Sequence, residues 1–130
     1  MNYTVADIII RLKNAVLARR PHVSFRYGRY TKSIVDVLEK EGYIAAVKEV
    51  EEKGKKEITA TILYDKRTPI FTDVKIISKP SIRVYATAQE LAKNEKKLVG
   101  NVIVSTNQGL MTGKEARKKG LGGELLFEIW

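Results

Sequence analysis

Three neighbouring polar side chains, Ser105, Thr106 and Asn107, follow directly on a short apolar run. The run, Val102 to Val104, predicts a buried strand. Hydroxyl and amide groups both donate and accept hydrogen bonds, so three of them at the end of a strand are typical of a surface that recognises a polar ligand. The sequence therefore predicts a hydrogen-bonding site at this strand end.

A helix with a basic face is predicted just after this run. Thr112 and Glu115 have the spacing of a capping box, which begins a helix, and Gly120 is placed to end it. The free N–H groups and the positive dipole end of such a helix attract an anion. A basic face can also be simply solvated, but the polar run directly before it favours contact with a ligand. The basic residues of this helix are Lys114, Arg117, Lys118 and Lys119.

Two further features each have a packing interpretation and a binding one. Gly122 and Gly123 follow the helix and precede the last predicted strand, Glu124 to Trp130, which is the reverse of the order in a mononucleotide cradle. They either form a bend or allow a ligand close to the backbone. Tyr85 ends another predicted strand, where its ring either packs half-buried or stacks on a base, an interaction worth roughly 1–3 kcal/mol.

Residue types that support catalysis are sparse. There is no cysteine, and the only histidine, His22, has no carboxylate within three residues, so we expect it to have no special role. Ser24 and Ser105 do not lie in the Gly-x-Ser-x-Gly turn of a serine nucleophile. The sequence therefore disfavours hydrolysis, and we expect neither a metal nor another cofactor.

The charge of the chain is positive and unevenly distributed. Its formal net charge is +9, from 24 Lys and Arg against 15 Asp and Glu. Residues 8–35 carry seven basic side chains and no acid, residues 36–57 carry seven acids against five lysines, and residues 66–119 carry twelve basic residues against four acids. Such clustering predicts that part of the surface faces a polyanion and another part faces away from it.

The order of the elements predicts an α+β fold with two domains, 1–65 and 66–130. Helical and alternating apolar patterns in the first half predict helix, strand, helix, strand and strand, with the first helix at Thr4 and the second at Thr31. A proline-containing segment, 65–72, marks the boundary. The second half is predicted to be β-rich, with strands at 74–78 and 82–86, a short helix or irregular lid at 88–98, and the strand, helix and strand described above. This gives an N-terminal α-β-α-β-β domain packed on a β-rich C-terminal domain with one short helix.

The candidate residues suit RNA better than DNA. Short polar side chains at a strand end do not reach the floor of a B-DNA major groove, and the sequence has no helix-turn-helix, zinc finger or basic zipper. A bulged RNA helix instead displays a shallow minor groove, 2′-hydroxyls and splayed bases. Lysines on the phosphates would add affinity through counterion release.

The C-terminal run resembles a known family. The stretch STNQGLMTGKEARKKGLGGELLFEIW is similar to the C-terminal signature of the eighth small-subunit ribosomal protein. VADIIIRLKNA, EKEGYI, ISKP and RVY resemble the same family, so the likeness covers essentially the whole chain. Asn107 stands where the family usually has serine, and FRYGRY (residues 25–30) replaces its usual Pro-Ala-Ser-Lys.

The resemblance implies a structural, non-enzymatic protein of the small ribosomal subunit in the cytoplasm. It implies binding to a bulged helix in the central domain of 16S rRNA, contacts with neighbouring small-subunit proteins, and, in bacterial members, binding to the messenger of their own operon. No membrane contact is expected, since the longest apolar runs are far shorter than a membrane span. The RNA-binding residues expected on these grounds are Tyr85, Ser105, Thr106, Asn107, Lys114, Lys118, Gly122, Gly123, Glu124, Thr4, Arg11, Asn14 and Arg29.

Two other functions are compatible with a small basic chain. One is a regulatory module that binds messenger RNA away from the ribosome. The other is a nucleic-acid-processing enzyme, for which Glu124 and Glu128 are the only acidic pair on the last strand and have no clear third ligand.

Overall fold

The computed structural model describes residues 4–65, 68–94 and 100–130, and these form an α+β protein. The chain divides into two compact units, residues 4–72 and 73–130. The predicted domain boundary between residues 65 and 66 stays a prediction.

The first unit has the predicted order of helix, strand, helix, strand and strand. Its elements are α1 (Thr4–Leu17), β1 (His22–Arg26), α2 (Arg29–Lys40), β2 (Ile44–Glu52) and β3 (Lys55–Ile62). The strands form an antiparallel sheet in the order β1-β3-β2. Two short strands, β4 (Tyr64–Asp65) and β5 (Thr68–Pro69), pair with each other beyond the sheet.

Alternation along the strands gives this sheet an apolar face and a polar face. Val23 and Phe25 of β1 and Ile58 of β3 are buried, whereas His22 and Ser24, which alternate with Val23 and Phe25 along β1, are exposed. α1 contacts β1 and α2 contacts β2. The apolar stripes of the two helices are buried, as their spacing predicted. These stripes consist of Val5, Ile8, Ile9, Leu12 and Ala15 on α1 and Ile34, Val35 and Leu38 on α2.

The structure of the first unit shows two details that the sequence analysis did not predict. α2 begins at Arg29 rather than Thr31, because Gly28 is extended and its carbonyl accepts the Lys32 N–H at 2.8 Å. β2 contains a bulge between Ala45 and Lys48, where Ala46 has φ +52°. A bulge leaves little trace in the sequence because it depends on how two strands pair.

The second unit is a five-stranded antiparallel sheet with two short helices. β10 is central and pairs with β6, β7 and β8, while β9 pairs with the other edge of β8. The elements are β6 (Val74–Ile76), β7 (Tyr85–Ala86), α3 (Ala88–Asn94), β8 (Asn101–Thr106), β9 (Gly109–Thr112), α4 (Gly113–Lys118) and β10 (Gly123–Ile129).

The second unit differs from the sequence prediction in four places. The strand predicted at 74–78 ends at Ile76. β9 was not predicted, because a segment of four residues is too short to show a clear alternation. The predicted strand at 82–86 is reduced to Tyr85–Ala86, since Lys79 and Ile82 close a tight turn through two backbone hydrogen bonds of 2.9 and 3.1 Å. The segment predicted as a helix or lid begins with α3, so the unit has two helices rather than one, and residues 95–99 lie outside the described residues.

The helices of this unit share an apolar cluster with one face of the sheet. Leu91 of α3 and Ala116 of α4 are buried in it. The cluster also contains Ala86, Val102, Val104 and Met111, with Ile77, Leu121 and Leu125 packed at its margin. None of the helices within residues 4–65, 68–94 and 100–130 is long and apolar enough to cross a membrane.

The N-cap of α4 supplies the first testable prediction. Thr112 is only 5% exposed, and its side-chain oxygen accepts the Glu115 N–H at 3.2 Å. Thr112→Ala removes this acceptor and leaves a helix N–H without its partner, so we expect a loss of about 1 kcal/mol in the free energy of unfolding, measured by urea denaturation. Thr72→Ala at an exposed position is the control, and equal losses in both variants would contradict the capping role.

Candidate nucleic-acid interface

Three strands of the second unit place Tyr85, Glu124 and Ser105 in one row. Glu124 on β10 pairs with Tyr85 of β7 on one side and with Ser105 of β8 on the other. Directly paired residues of antiparallel strands point to the same face of a sheet, so these three side chains are neighbours. Tyr85 is 67% exposed and Ser105 is half-buried. The row therefore presents an aromatic ring and a hydroxyl group to solvent on either side of a carboxylate.

The carboxylate in the middle of the row is neutralised by an arginine. Arg83 Nη1 donates to Glu124 Oε2 at 3.1 Å, and the Glu124 side chain is only 18% exposed. An unpaired carboxylate would repel a polyanion, so this ion pair makes the row compatible with one. Arg83 was missed as a site residue. Its position two residues before Tyr85 on the same stretch of chain was the only signal in the sequence.

The polar run at the end of β8 contains one residue that closes a turn and others that are exposed to solvent. The Thr106 hydroxyl donates to the Gly109 carbonyl at 2.7 Å and accepts the Gln108 N–H at 3.1 Å, which closes the turn between β8 and β9. Because its only hydrogen is used inside the turn, Thr106 orders the loop. Asn107 and Gln108 are exposed at the tip of this turn. Gln108 is a second residue that the sequence pattern did not select.

Gly122 and Gly123 are required by the protein's own backbone. A Cβ at Gly123 would overlap the Ser105 carbonyl oxygen of the paired strand, and a Cβ at Gly122 would lie 2.5 Å from the Ala86 carbonyl oxygen. Neither residue has the positive φ that favours glycine, so close approach of backbone to backbone is the reason for both. They bring β7 and β8 tightly against β10 and thereby form the row.

A shallow groove of about 520 Å³ runs from Tyr85 to the glycine turn. Its other lining residues include Thr87, Glu90, Gly120, Gly122 and Gly123. The groove connects the exposed ring of Tyr85 to a stretch of backbone with little side-chain cover. It therefore offers a ligand a stacking surface and backbone polar groups along one path.

Helix α4 contributes cations but has a packed N-terminus. Lys114 and Lys118 are exposed, while Lys119 lies 3.5 Å from the Glu115 carboxylate. Thr112 and Gly113 are buried, and a Cβ at Gly113 would come within 2.6 Å of Val102 Cγ1. The anion site expected at this helix end is therefore not accessible in the structure, and the exposed lysines remain as the electrostatic part of the surface.

The four remaining predicted residues belong to the first unit. Asn14 and Arg29 are exposed and Thr4 is half-buried. Arg11 is held within its own unit, since Nε contacts the Asp7 carboxylate at 3.2–3.3 Å and Nη1 donates to the Ser24 carbonyl at 3.2 Å. Its planar guanidinium therefore ties α1 to β1.

Taken together, these groups define a surface that can bind a ligand. Within the part of the chain that the structure describes, no three His, Asp or Glu side chains come together to hold a metal ion. The exposed groups are instead an aromatic ring, short polar side chains and lysines, which are the groups that contact nucleic acids.

Comparison with known proteins gives the family. The family model of Ribosomal protein S8 matches residues 3–130, and the chain belongs to this family. It is 40% identical over 126 residues to small ribosomal subunit protein uS8 of Dictyoglomus turgidum, which covers 97% of this chain and 95% of that one. It is also 40% identical over 131 residues to small ribosomal subunit protein uS8 of Nostoc punctiforme, covering 99% and 98%. Small ribosomal subunit protein uS8c of Rhodomonas salina is 40% identical over 132 residues, covering 100% and 99%.

Membership confirms the family resemblance inferred from the sequence. It places the chain among the structural, non-enzymatic ribosomal proteins, so the hypothesis of a processing enzyme is wrong.

The tight strand pairing at Gly123 gives the second prediction. Gly123→Ala places a methyl group against the Ser105 carbonyl, and since a paired backbone cannot move aside without opening the ladder, we expect a loss of about 2 kcal/mol or more in the free energy of unfolding. Urea denaturation measures the loss. In the control, Gly28→Ala, the new Cβ would meet only Thr31 Oγ1 at 3.6 Å, which is ordinary contact. A loss at Gly123 no greater than at Gly28 would contradict this account.

Proposed function

We propose that this protein is a constituent of the small ribosomal subunit that binds a bulged helix in the central domain of 16S rRNA and helps to organise its assembly. The observation that carries the proposal is the row in which Tyr85 and Ser105 flank an arginine-neutralised carboxylate. The ribosome, and with it the cytoplasm, is the location that this function requires. Neighbouring ribosomal proteins are its expected protein partners, and the messenger of its own operon is a further RNA partner that stays a prediction.

Each group in the row has a distinct role toward a bulged RNA helix. The ring of Tyr85 is exposed enough to stack on an unpaired base, which requires the base to leave its helix, as it does at a bulge. Ser105 is placed to exchange hydrogen bonds with a base edge or a 2′-hydroxyl, and Asn107 at the turn tip adds a longer amide. Glu124 is held by Arg83 and acts by ordering the row.

The lysines supply affinity that does not depend on sequence. Lys114 and Lys118 on α4 are exposed, and ammonium groups of this kind neutralise phosphates and release counterions. Asn14 and Arg29 of the first unit are proposed as further contacts on the basis of exposure and charge. Thr4 and Arg11 are proposed with a mainly supporting role, because Arg11 is already bonded to Asp7 and Ser24.

The stacking role of Tyr85 gives the third prediction. Tyr85→Ala removes the ring, and since stacking is worth roughly 1–3 kcal/mol per base, the affinity for a bulged central-domain fragment of 16S rRNA should fall by at least about fivefold. Tyr85→Phe keeps the ring and loses only the hydroxyl group, so its affinity should stay within about twofold of the parent. Filter binding or fluorescence anisotropy at fixed salt measures both. Equal losses in the two variants would assign the effect to the hydroxyl group and contradict stacking.

The lysines of α4 give the fourth prediction. Replacing Lys118 by Gln removes one phosphate contact, so the slope of log affinity against log salt concentration should become shallower by about 1. Binding to the same RNA fragment across a salt series measures the slope. Lys53→Gln, at the exposed turn of the acidic hairpin β2–β3, is the matched control and should leave the slope unchanged. A slope unchanged by Lys118→Gln would show that α4 does not touch phosphate.

A further inference from the structure

The polar face of the three-stranded sheet in the first unit is an open surface with its own chemistry. It carries rows of side chains that pair across all three strands, and two neighbouring rows have no carboxylate. One row consists of His22, Thr61 and Ala45, and the next consists of Ser24, Thr59 and Lys48. We propose that this face, formed by these two rows, is a second contact surface for the RNA sugar–phosphate backbone. The proposal rests on the proposed function, since it adds a second contact to the same RNA ligand.

The shape of the face suits a backbone segment. A hollow of about 270 Å³ lies on it, lined by His22, Ser24, Lys48, Thr59 and Thr61 together with Ala46. The β-bulge between Ala45 and Lys48, with Ala46 at φ +52°, bends β2 at this place. Of the bulge residues, Ala46 lines the hollow with only a methyl group, which leaves the hollow open beside it. A sugar and its phosphate can therefore approach the sheet closely.

The polar groups of the hollow match phosphate and ribose. Ser24, Thr59 and Thr61 each bring a hydroxyl group, and His22 Nδ1 lies 3.3 Å from Thr61 Oγ1, which ties the ring to the face by one of its two nitrogens. Lys48 brings the positive charge. The two rows contain no carboxylate, whereas in the next row Glu57 stands opposite Arg26 and offsets it. The cationic part of the face therefore coincides with the hollow.

The composition of the face favours RNA over a protein partner. Protein interfaces depend on a few buried aromatic or apolar side chains at their centre. The two rows have no apolar side chain larger than that of Ala45, and the exposed hydrophobic residue Val50 pairs with Glu57 in the row beside them. Hydroxyl groups and lysine are instead the usual partners of phosphate and sugar. Because the aromatic ring of these two rows, the His22 imidazole, is tied to Thr61, the contact should depend little on base sequence.

Lys48→Glu tests this surface. The variant reverses the only full charge in the two rows, so binding to the complete central domain of 16S rRNA should weaken by at least about threefold at physiological salt, with the salt slope shallower by about 1. Lys53→Glu makes the same change at the exposed turn of the same hairpin and should leave both quantities unchanged. Thermal unfolding of both variants checks that the fold is retained.

A gain-of-contact variant gives an independent measure. Ser24→Lys adds a cation beside the hollow and should steepen the salt slope by about 1. Thr72→Lys adds the same charge at an exposed position outside the strands of the sheet and should change the slope less.

The outcomes separate this surface from the C-terminal one. If Tyr85→Ala weakens binding and Lys48→Glu does not, the sheet-face proposal is wrong and the proposed function stands. If the parent protein does not bind the central domain, both are wrong. If Lys48→Glu leaves RNA affinity unchanged but reduces incorporation into particles that already hold other ribosomal proteins, the face serves a protein partner and the RNA contact is overturned.

Discussion

The candidate surface of the second unit depends on the close pairing of β10 with β7 and β8. Gly122 and Gly123 make this pairing possible, because any side chain there would overlap a carbonyl group of a neighbouring strand. The pairing fixes the register that brings Tyr85 and Ser105 to either side of Glu124. The side chains of this row, which come from three separate segments of the chain, are therefore held by main-chain hydrogen bonds rather than by a flexible loop.

Charge is arranged to support a polyanionic ligand without catalysis. Glu124 lies in the middle of the surface but is paired with Arg83, and Glu115 is paired with Lys119. Acidic residues of the first unit are concentrated on α2 and on the hairpin of β2 and β3, where Asp36 pairs with Lys32 and Glu49 with Lys56. Net positive charge of this kind accelerates encounter with RNA, while the paired acids limit repulsion at close range.

Local sequence signals predicted most elements and failed where pairing between strands decided the outcome. The apolar stripe of α1 and the alternation of Ile58, Ala60 and Ile62 on β3 were sufficient, because burial on one side leaves a clear period. Strand β9 was missed because four residues are too few to show an alternation of apolar and polar side chains. Strand β7 was overestimated because the turn closed by Lys79 and Ile82 extends into the predicted strand, and only Tyr85 and Ala86 pair with β10.

For the site, the sequence by itself determined the residue types and the family. The polar side chains at a strand end, the basic helix and the glycine pair could be identified from the sequence because the residues of each feature are adjacent in the chain. Only the tertiary structure decided which contacts each of them makes within the protein. The Thr106 hydroxyl closes the turn between β8 and β9, and the N-terminal end of α4 is buried. Arg83 is the partner of Glu124, from which it is separated by 41 positions in the sequence. The physical reason is that hydrogen-bond partners, ion pairs and burial depend on distances in space, which residue order fixes only through the completed fold.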